Sequence, residues 1–208
     1  MNITKGIIEK SFFCRSAQEV APDLIGCVLV KREQNGDLLS GIIVETEAYS
    51  QEEPGCHGFR EKTKKNQALF GDPGNLYVYL TYGIYYCVNI VTEKSNWASG
   101  VLLRAISIPG EAERIASGPG LLARRFGLNI AHDNLPLTIE NGLWLIEKSR
   151  SFKKMSRLIQ TTRIGISEGQ DIAWRWYLQS SRSISKRRKG DANPSISNAW
   201  IPKQRTHT

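Results

Sequence analysis

The sequence has no apolar run of the ~18 residues that a membrane-spanning helix requires. Its first stretch, Met1 to Lys10, mixes charges with isoleucines and holds no continuous apolar core, so no secretory signal is expected. Cysteine is scarce: four residues, at 14, 27, 56 and 87, with no CxxC spacing. That argues against a disulfide framework and for free thiols in a reducing, cytoplasmic setting. There is no internal repeat of useful length and no strand–helix–strand alternation, which excludes a solenoid and a parallel α/β sheet.

What is present is an ordinary globular composition, 40% hydrophobic and 23% charged over 208 residues. This length supports one domain with a sizeable core, or one domain and a tail. The net charge of +8 invites a nucleic-acid reading. Its distribution weakens that reading. Of the 28 Lys and Arg, seven lie between Arg182 and Thr208 with a single Asp, leaving 21 basic against 19 acidic residues in 1–181. Bulk basicity therefore says little about the folded body.

Along the chain, Ser16 to Leu24 reads as a short helix capped by Ser16, with Pro22 near its end. Cys27–Arg32 and Leu38–Thr46 are β-branched apolar runs joined by Gln34-Asn35-Gly36-Asp37, a hairpin signal. Residues 50–62 read as a loop, and Thr63 to Phe70 as a short helix. Leu76–Leu80 and Ile84–Thr92 form a second hairpin through Thr81-Tyr82-Gly83. Val101–Ile108 is a further strand; Glu111–Ala116 and Leu121–Phe126 read as helices, the second stopped by Gly127. Leu143–Glu147 and Thr162–Ile166 read as short strands. The expected fold is α+β: a single domain on a mostly antiparallel, curved β-sheet with hairpins and short flanking helices. From Ser180 onward, Ser, Lys, Arg, Asn and Pro dominate. The segment 181–208 is expected as a poorly ordered basic tail around Lys186-Arg187-Arg188-Lys189, beside a domain over 1–180.

Several residues carry chemistry. Glu45 and Glu47, two apart near a strand end, share a face. The preceding run is apolar on both faces, so the pair is buried and needs a partner or a job; on an outer face it would mean little. His57 adjoins Cys56, yet the His-x-Glu and Pro-Cys-x-x-Cys pattern of zinc deaminases is absent, and no metal is expected. Tyr77 and Tyr79 share a strand face. Tyr82 sits on an exposed turn, where a large ring gains nothing from packing and suits a wedge into a base stack. Asn89 and Arg104 are polar groups in apolar strands that must find hydrogen-bond partners, structural or functional.

Together these stretches resemble the alkyladenine (3-methyladenine) DNA glycosylase family. The matching motifs are VETEAY at 44–49, PGCHGF at 54–59, FGDPGNLYVYLTYGIYYCVNIVT at 70–92, GVLLRAI at 100–106, SGPGLLARRFGL at 117–128, RIGIS at 163–167 and WRWYL at 174–178. The resemblance implies that Glu47 activates the attacking water with Arg104. It implies that Tyr49, His57 and Tyr79 wall the pocket for an extruded base. Asn89 would screen against a guanine amino group, and Tyr82 would fill the vacated space in the duplex. It further implies a monomer acting on double-stranded DNA containing damaged purines, with no cofactor and no membrane. No lysine lies in the matched motifs, so no Schiff-base lyase step is expected. Two rivals remain: a non-catalytic nucleic-acid module, and a hydrolase of free nucleosides that gives Tyr82 no purpose. Removing 182–208 is expected to lower the salt dependence of DNA binding and spare the chemistry.

Overall fold

The computed structural model describes residues 5–149, 152 and 157–202. The ends of the two segments singled out above, 1–4 and 203–208, lie outside the described residues.

The chain opens with two short helices, α1 (Lys10–Phe13) and α2 (Ala17–Leu24). Ser16 and Glu19 close a capping box at the start of α2, which satisfies backbone donors that the first turn leaves free. Ala17, Val20, Ala21 and Leu24 are buried, an i, i+3, i+4, i+7 stripe that faces the sheet. The Thr46 hydroxyl donates to the Ala21 carbonyl at 2.8 Å and ties this helix to the central strand.

Strands β1 (Val28–Arg32) and β2 (Leu38–Ser50) form the first hairpin. Its tip is tightened by Gly36 N–H on the Glu33 carbonyl and Glu33 N–H on the Asp37 carbonyl. The strand β2 runs four residues beyond the expected end, so Glu45 and Glu47 lie within its second half and not at its tip. β3 (Leu76–Thr81) and β4 (Tyr85–Val91) form the second hairpin, followed by β5 (Ser99–Ser107), all nine of whose residues are buried. β6 (Leu143–Ile146), β7 (Leu158–Thr161) and β8 (Arg175–Leu178) complete the sheet. The strand order is β3-β4-β5-β2-β1-β6, with β8 joining β2 and β7 joining β8. Every strand pairing is antiparallel, which matches the expected α+β architecture.

β2 is the hub. β5 pairs along one edge, while β1 and β8 divide the other edge between 38–42 and 45–47. Against β5 the register slips twice: Ile43 faces Ile106, Glu45 faces Ala105 and Thr46 faces Leu103. Val44 and Arg104 are skipped, and such bulges bend a strand and re-aim a side chain.

α3 (Pro119–Arg125) packs over β4 and β5. It ends as its sequence suggests. Gly127 takes a left-handed φ of 58°, and the N–H groups of Leu128 and Gly127 close onto the carbonyls of Ala123 and Arg124.

Three expectations are corrected. Residues 111–116 form turns, not a helix. Of 63–70, only Gln67–Phe70 is helical, as one 3-10 turn. The strand expected at 162–166 lies earlier, as β7, and 162–166 is a loop whose backbone turns toward β2. Within 181–202, the described part of the expected tail, several groups pack against the domain. Ser181, Ser183 and Ile184 are buried, Trp200 N–H donates to the Ser180 carbonyl, and Asp191 bonds the Tyr177 hydroxyl and Arg187. Small serines fit against the sheet where composition alone signalled solvation.

Leu24→Ala should cost about 2–5 kcal/mol in urea unfolding, as a fully buried leucine lost from the helix–sheet interface. Exposed Ile130→Ala should change stability by less than about 0.5 kcal/mol.

Candidate active site

One row of residues crosses five strands. Tyr77 on β3 faces Asn89 on β4, Asn89 faces Leu102 on β5, Leu102 faces Glu47 on β2, and Glu47 faces Arg175 on β8. Directly opposed residues share a face, so all five side chains stand on one side of the sheet. Arg104, two positions from Leu102, joins them.

At the centre of the row are two buried carboxylates and two buried guanidiniums. Glu45 and Glu47 are fully buried, and Arg104 and Arg175 nearly so. Arg104 bridges the acids: its Nε donates to Glu45 Oε1 at 3.3 Å and its Nη1 to Glu47 Oε2 at 3.0 Å. Arg175 Nη1 donates to Glu45 Oε1 at 2.9 Å and to the Lys186 carbonyl, and its Nε donates to the Thr162 carbonyl. Ser185 completes the set, its N–H and hydroxyl donating to Glu45 at 2.7 and 2.9 Å.

The two acids differ in surroundings. Glu45 is held wholly by internal groups. Glu47 Oε2 also accepts from the Tyr49 hydroxyl at 2.9 Å, and its Oε1 accepts from Ile164 N–H at 2.8 Å. Burial raises the pKa of Glu47, against the pull of Arg104, the Ile164 N–H and the Tyr49 hydroxyl, with Glu45 adding to the rise. Arg104 thus favours the ionised form, yet desolvation outweighs it.

Above the row lies a cleft of about 330 Å³. Tyr49, His57, Tyr79, Asn89, Arg104 and Tyr82 all contribute to its lining, so the residues singled out from the sequence come together. Glu47 lies just behind the wall formed by Tyr49, Arg104 and Ile164. The rings of His57 and Tyr79 meet at 4.6 Å and 62°, and Tyr79 lies 5.3 Å from Tyr77. His57 Nδ1 is 2.9 Å from the Tyr77 hydroxyl. Partial burial lowers the His57 pKa, which keeps the ring neutral at pH 7. Asn89 Nδ2 donates to the Tyr77 carbonyl at 3.1 Å. Cys56 lies near His57 in sequence, but its thiol turns to the Ala98 carbonyl and Gly58 N–H.

At the cleft edge the β3–β4 turn carries Tyr82, 83% exposed at φ 50°, followed by Gly83 at φ 71°. Ile84 N–H closes the turn onto the Thr81 carbonyl. Two successive left-handed residues suit a hairpin, but a bulky aromatic at the first is strained. Leu80 and Ile84 beside it are exposed as well. An exposed strained ring between exposed aliphatics is a surface shaped for contact.

The chain matches the family model for methylpurine-DNA glycosylase (MPG) over residues 11–182. It belongs to the methylpurine-DNA glycosylase family. Among curated relatives named "Putative 3-methyladenine DNA glycosylase", one from Trichodesmium erythraeum is 39% identical over 196 residues, covering 86% of this chain and 98% of the relative. Another, from Synechococcus elongatus, is 42% identical over 176 residues, covering 82% and 87%. A third, from Carboxydothermus hydrogenoformans, is 39% identical over 193 residues, covering 87% and 100%.

Arg175, Ser185, Arg163 and Glu53 are site neighbours beyond those expected from the sequence. Arg175 was findable by the argument applied to Arg104, since it too is a guanidinium in an apolar run, Trp174-Arg175-Trp176-Tyr177. Ser185 carried no such signal. Ser185 and the Lys186 carbonyl lie within 182–208, so removal of that segment takes partners from Glu45 and Arg175.

Truncation after Arg182 should lower stability by on the order of 4 kcal/mol in urea unfolding, through the loss of buried Ile184 and the donors on Glu45. Lys186→Ala, Arg188→Ala and Lys189→Ala together alter exposed side chains and should leave stability within about 0.5 kcal/mol for each site.

Proposed function

We propose that the protein hydrolyses the N-glycosidic bond of alkylated or deaminated purines in double-stranded DNA. The candidate substrates are 3-methyladenine, 7-methylguanine, hypoxanthine and ethenoadenine. The observation that carries this reading is the buried Glu47–Arg104 pair directly behind an aromatic cleft whose edge bears the exposed ring of Tyr82.

A purine inside the stack is out of reach of any buried carboxylate, so the nucleotide must first be extruded, at a cost of a few kcal/mol. Tyr82 entering the gap offsets part of that cost, since base–aromatic stacking contributes ~1–3 kcal/mol. Tyr49, His57 and Tyr79 then stack on the extruded base. A cationic alkylated purine gains roughly 0.5–2 kcal/mol more over such rings, a physical basis for preferring damage. Asn89 meets the base edge and disfavours a guanine amino group, so 7-methylguanine is the least favoured of the four.

In the chemical step the C1′–N bond breaks and its electron pair leaves with the base. The sugar passes through an oxocarbenium-like state. Water adds at C1′ and Glu47 takes its proton. Three donors occupy Glu47. A carboxylate has about four lone-pair positions, so one is left for that water. A cationic lesion departs as a neutral base, whereas hypoxanthine departs as its anion and takes a proton from bulk water. The step needs only water and a base, so no cofactor enters the scheme. No amine enters it either, so the reaction ends at an abasic site without strand cleavage. The protein acts as a monomer.

Base release from duplexes carrying each of the four lesions tests the reading. Glu47→Gln should reduce release by ~10²-fold or more while keeping lesion binding. Wild-type protein that frees no base from any of them would end the proposal. The rate should fall as pH drops through a Glu47 pKa above the usual carboxylate value of 4.5, because only the ionised acid accepts the proton. Tyr82→Ser should slow excision about 5- to 100-fold on duplex DNA and far less on single strands. Equal losses on both would deny Tyr82 a part in opening the stack.

A further inference from the structure

Behind the cleft, on the side of Tyr49 away from solvent, lies a second buried ion pair. Arg163, whose side chain is fully buried, forks onto Glu53 at 2.5 and 2.6 Å. Its two Nη groups also donate to the carbonyls of Ala48 and Gly169, each at 3.1 Å. The guanidinium lies 4.7 Å from the centre of the Tyr49 ring and 5.6 Å from Trp174. Packing here is tight enough that a side chain at Gly55 or Gly169 would strike the pair, within 3.0 Å of the guanidinium in both cases.

This pair is a poor device for stability. Buried ion pairs often contribute less than apolar groups of the same size. Arg163 moreover leaves its buried Nε without a hydrogen-bond partner. A buried cation kept at such a cost has another purpose. What it touches indicates which. Its ring contact, Tyr49, donates to Glu47, and the next residue, Ile164, donates its N–H to the same carboxylate. Glu53 meanwhile anchors the loop that carries His57, through Gly55 N–H at 2.8 Å.

We propose that the Arg163–Glu53 ion pair is a positioning pair for Glu47, holding in place the Tyr49 ring and the Ile164 peptide that bind its carboxylate. Neither residue touches the cleft, so both act through others. The inference rests on the reading of Glu47 as the base for its consequence in catalysis, but the positioning itself is measurable without turnover.

The charged and titratable groups facing Glu47 are Glu45 and Tyr49 on β2, Arg104 on β5, Arg175 on β8, Arg163 in the 162–166 loop, Tyr79 on β3 and Cys87 on β4. The Tyr49 and Ile164 hydrogen bonds favour its ionised form. Loosening them raises its pKa, and removing the Arg163 charge acts in the same direction.

The experiment is a titration of the Glu47 side-chain carboxyl by 13C NMR, assigned through its absence in Glu47→Gln. It is run on the full chain as wild type, Glu53→Gln, Arg163→Lys and the double variant Glu53→Gln/Arg163→Met. The variants should titrate about one pH unit higher than wild type. The double variant buries no unpaired charge, so it should melt at or above the temperature of the single variants and yet keep the raised value. That combination separates positioning from mere stability. A folded double variant with the wild-type titration overturns the proposal. Single-turnover release from a lesion duplex, measured alongside, should show a matching shift of the acid limb. If wild type releases no base, the functional reading fails while the carboxyl titration still decides the pair.

Discussion

Arg104 lies between two fully buried carboxylates, and the rest of the site is arranged so that this is tolerable. A lone ionised acid in such a place would cost several kcal/mol or give up its charge. Here Glu45 and Glu47 are matched by Arg104 and Arg175, and the remaining donors come from a serine, a tyrosine and a backbone amide. The four charges are drawn from β2, β5 and β8. None can be neutralised without the other strands in register, so the sheet and the charge cluster specify one another.

That dependence explains features of the fold that serve no purpose alone. The slipped register between β2 and β5 leaves Arg104 outside the regular pairing and turns it toward both acids. β8 contributes only four residues, yet pairs with β2 where the acids stand. The segment after β8 returns to place Ser185 on Glu45. On the opposite face, Thr46 and Ala48 meet the apolar core with α2, so a single strand separates charge chemistry from packing. A smaller apolar cluster, with Cys56, Leu69, Phe70 and Ala98, supports Tyr49, Tyr77 and Tyr79.

Much of this was legible in the residues. The hairpins announced themselves by Asn-Gly and Tyr-Gly between β-branched runs, α2 by Ser16 and its apolar stripe, the end of α3 by Gly127. Tyr82 stood out as an aromatic on a turn. The failures have physical causes. The run at 111–116 has helical composition, but it lacks an apolar stripe to bury, and propensity alone does not hold a helix that short. Residues 162–166 look like a strand, but the Ile164 amide is spent on Glu47 and the Thr162 carbonyl on Arg175. The serines of 181–185 looked solvated because burial of small polar side chains depends on partners far away in the chain.

The sequence by itself determined the local elements, the alternation that gives Glu45 and Glu47 a common face, and the family resemblance, because these depend on neighbours along the chain. Tertiary structure alone decided that Glu47 faces Arg175, that Arg104 is shared between two acids, and that Arg163 lies behind Tyr49. These contacts join residues 57 to 140 positions apart. Their geometry follows from strand register and one pair of bulges, and no periodicity in the chain records either.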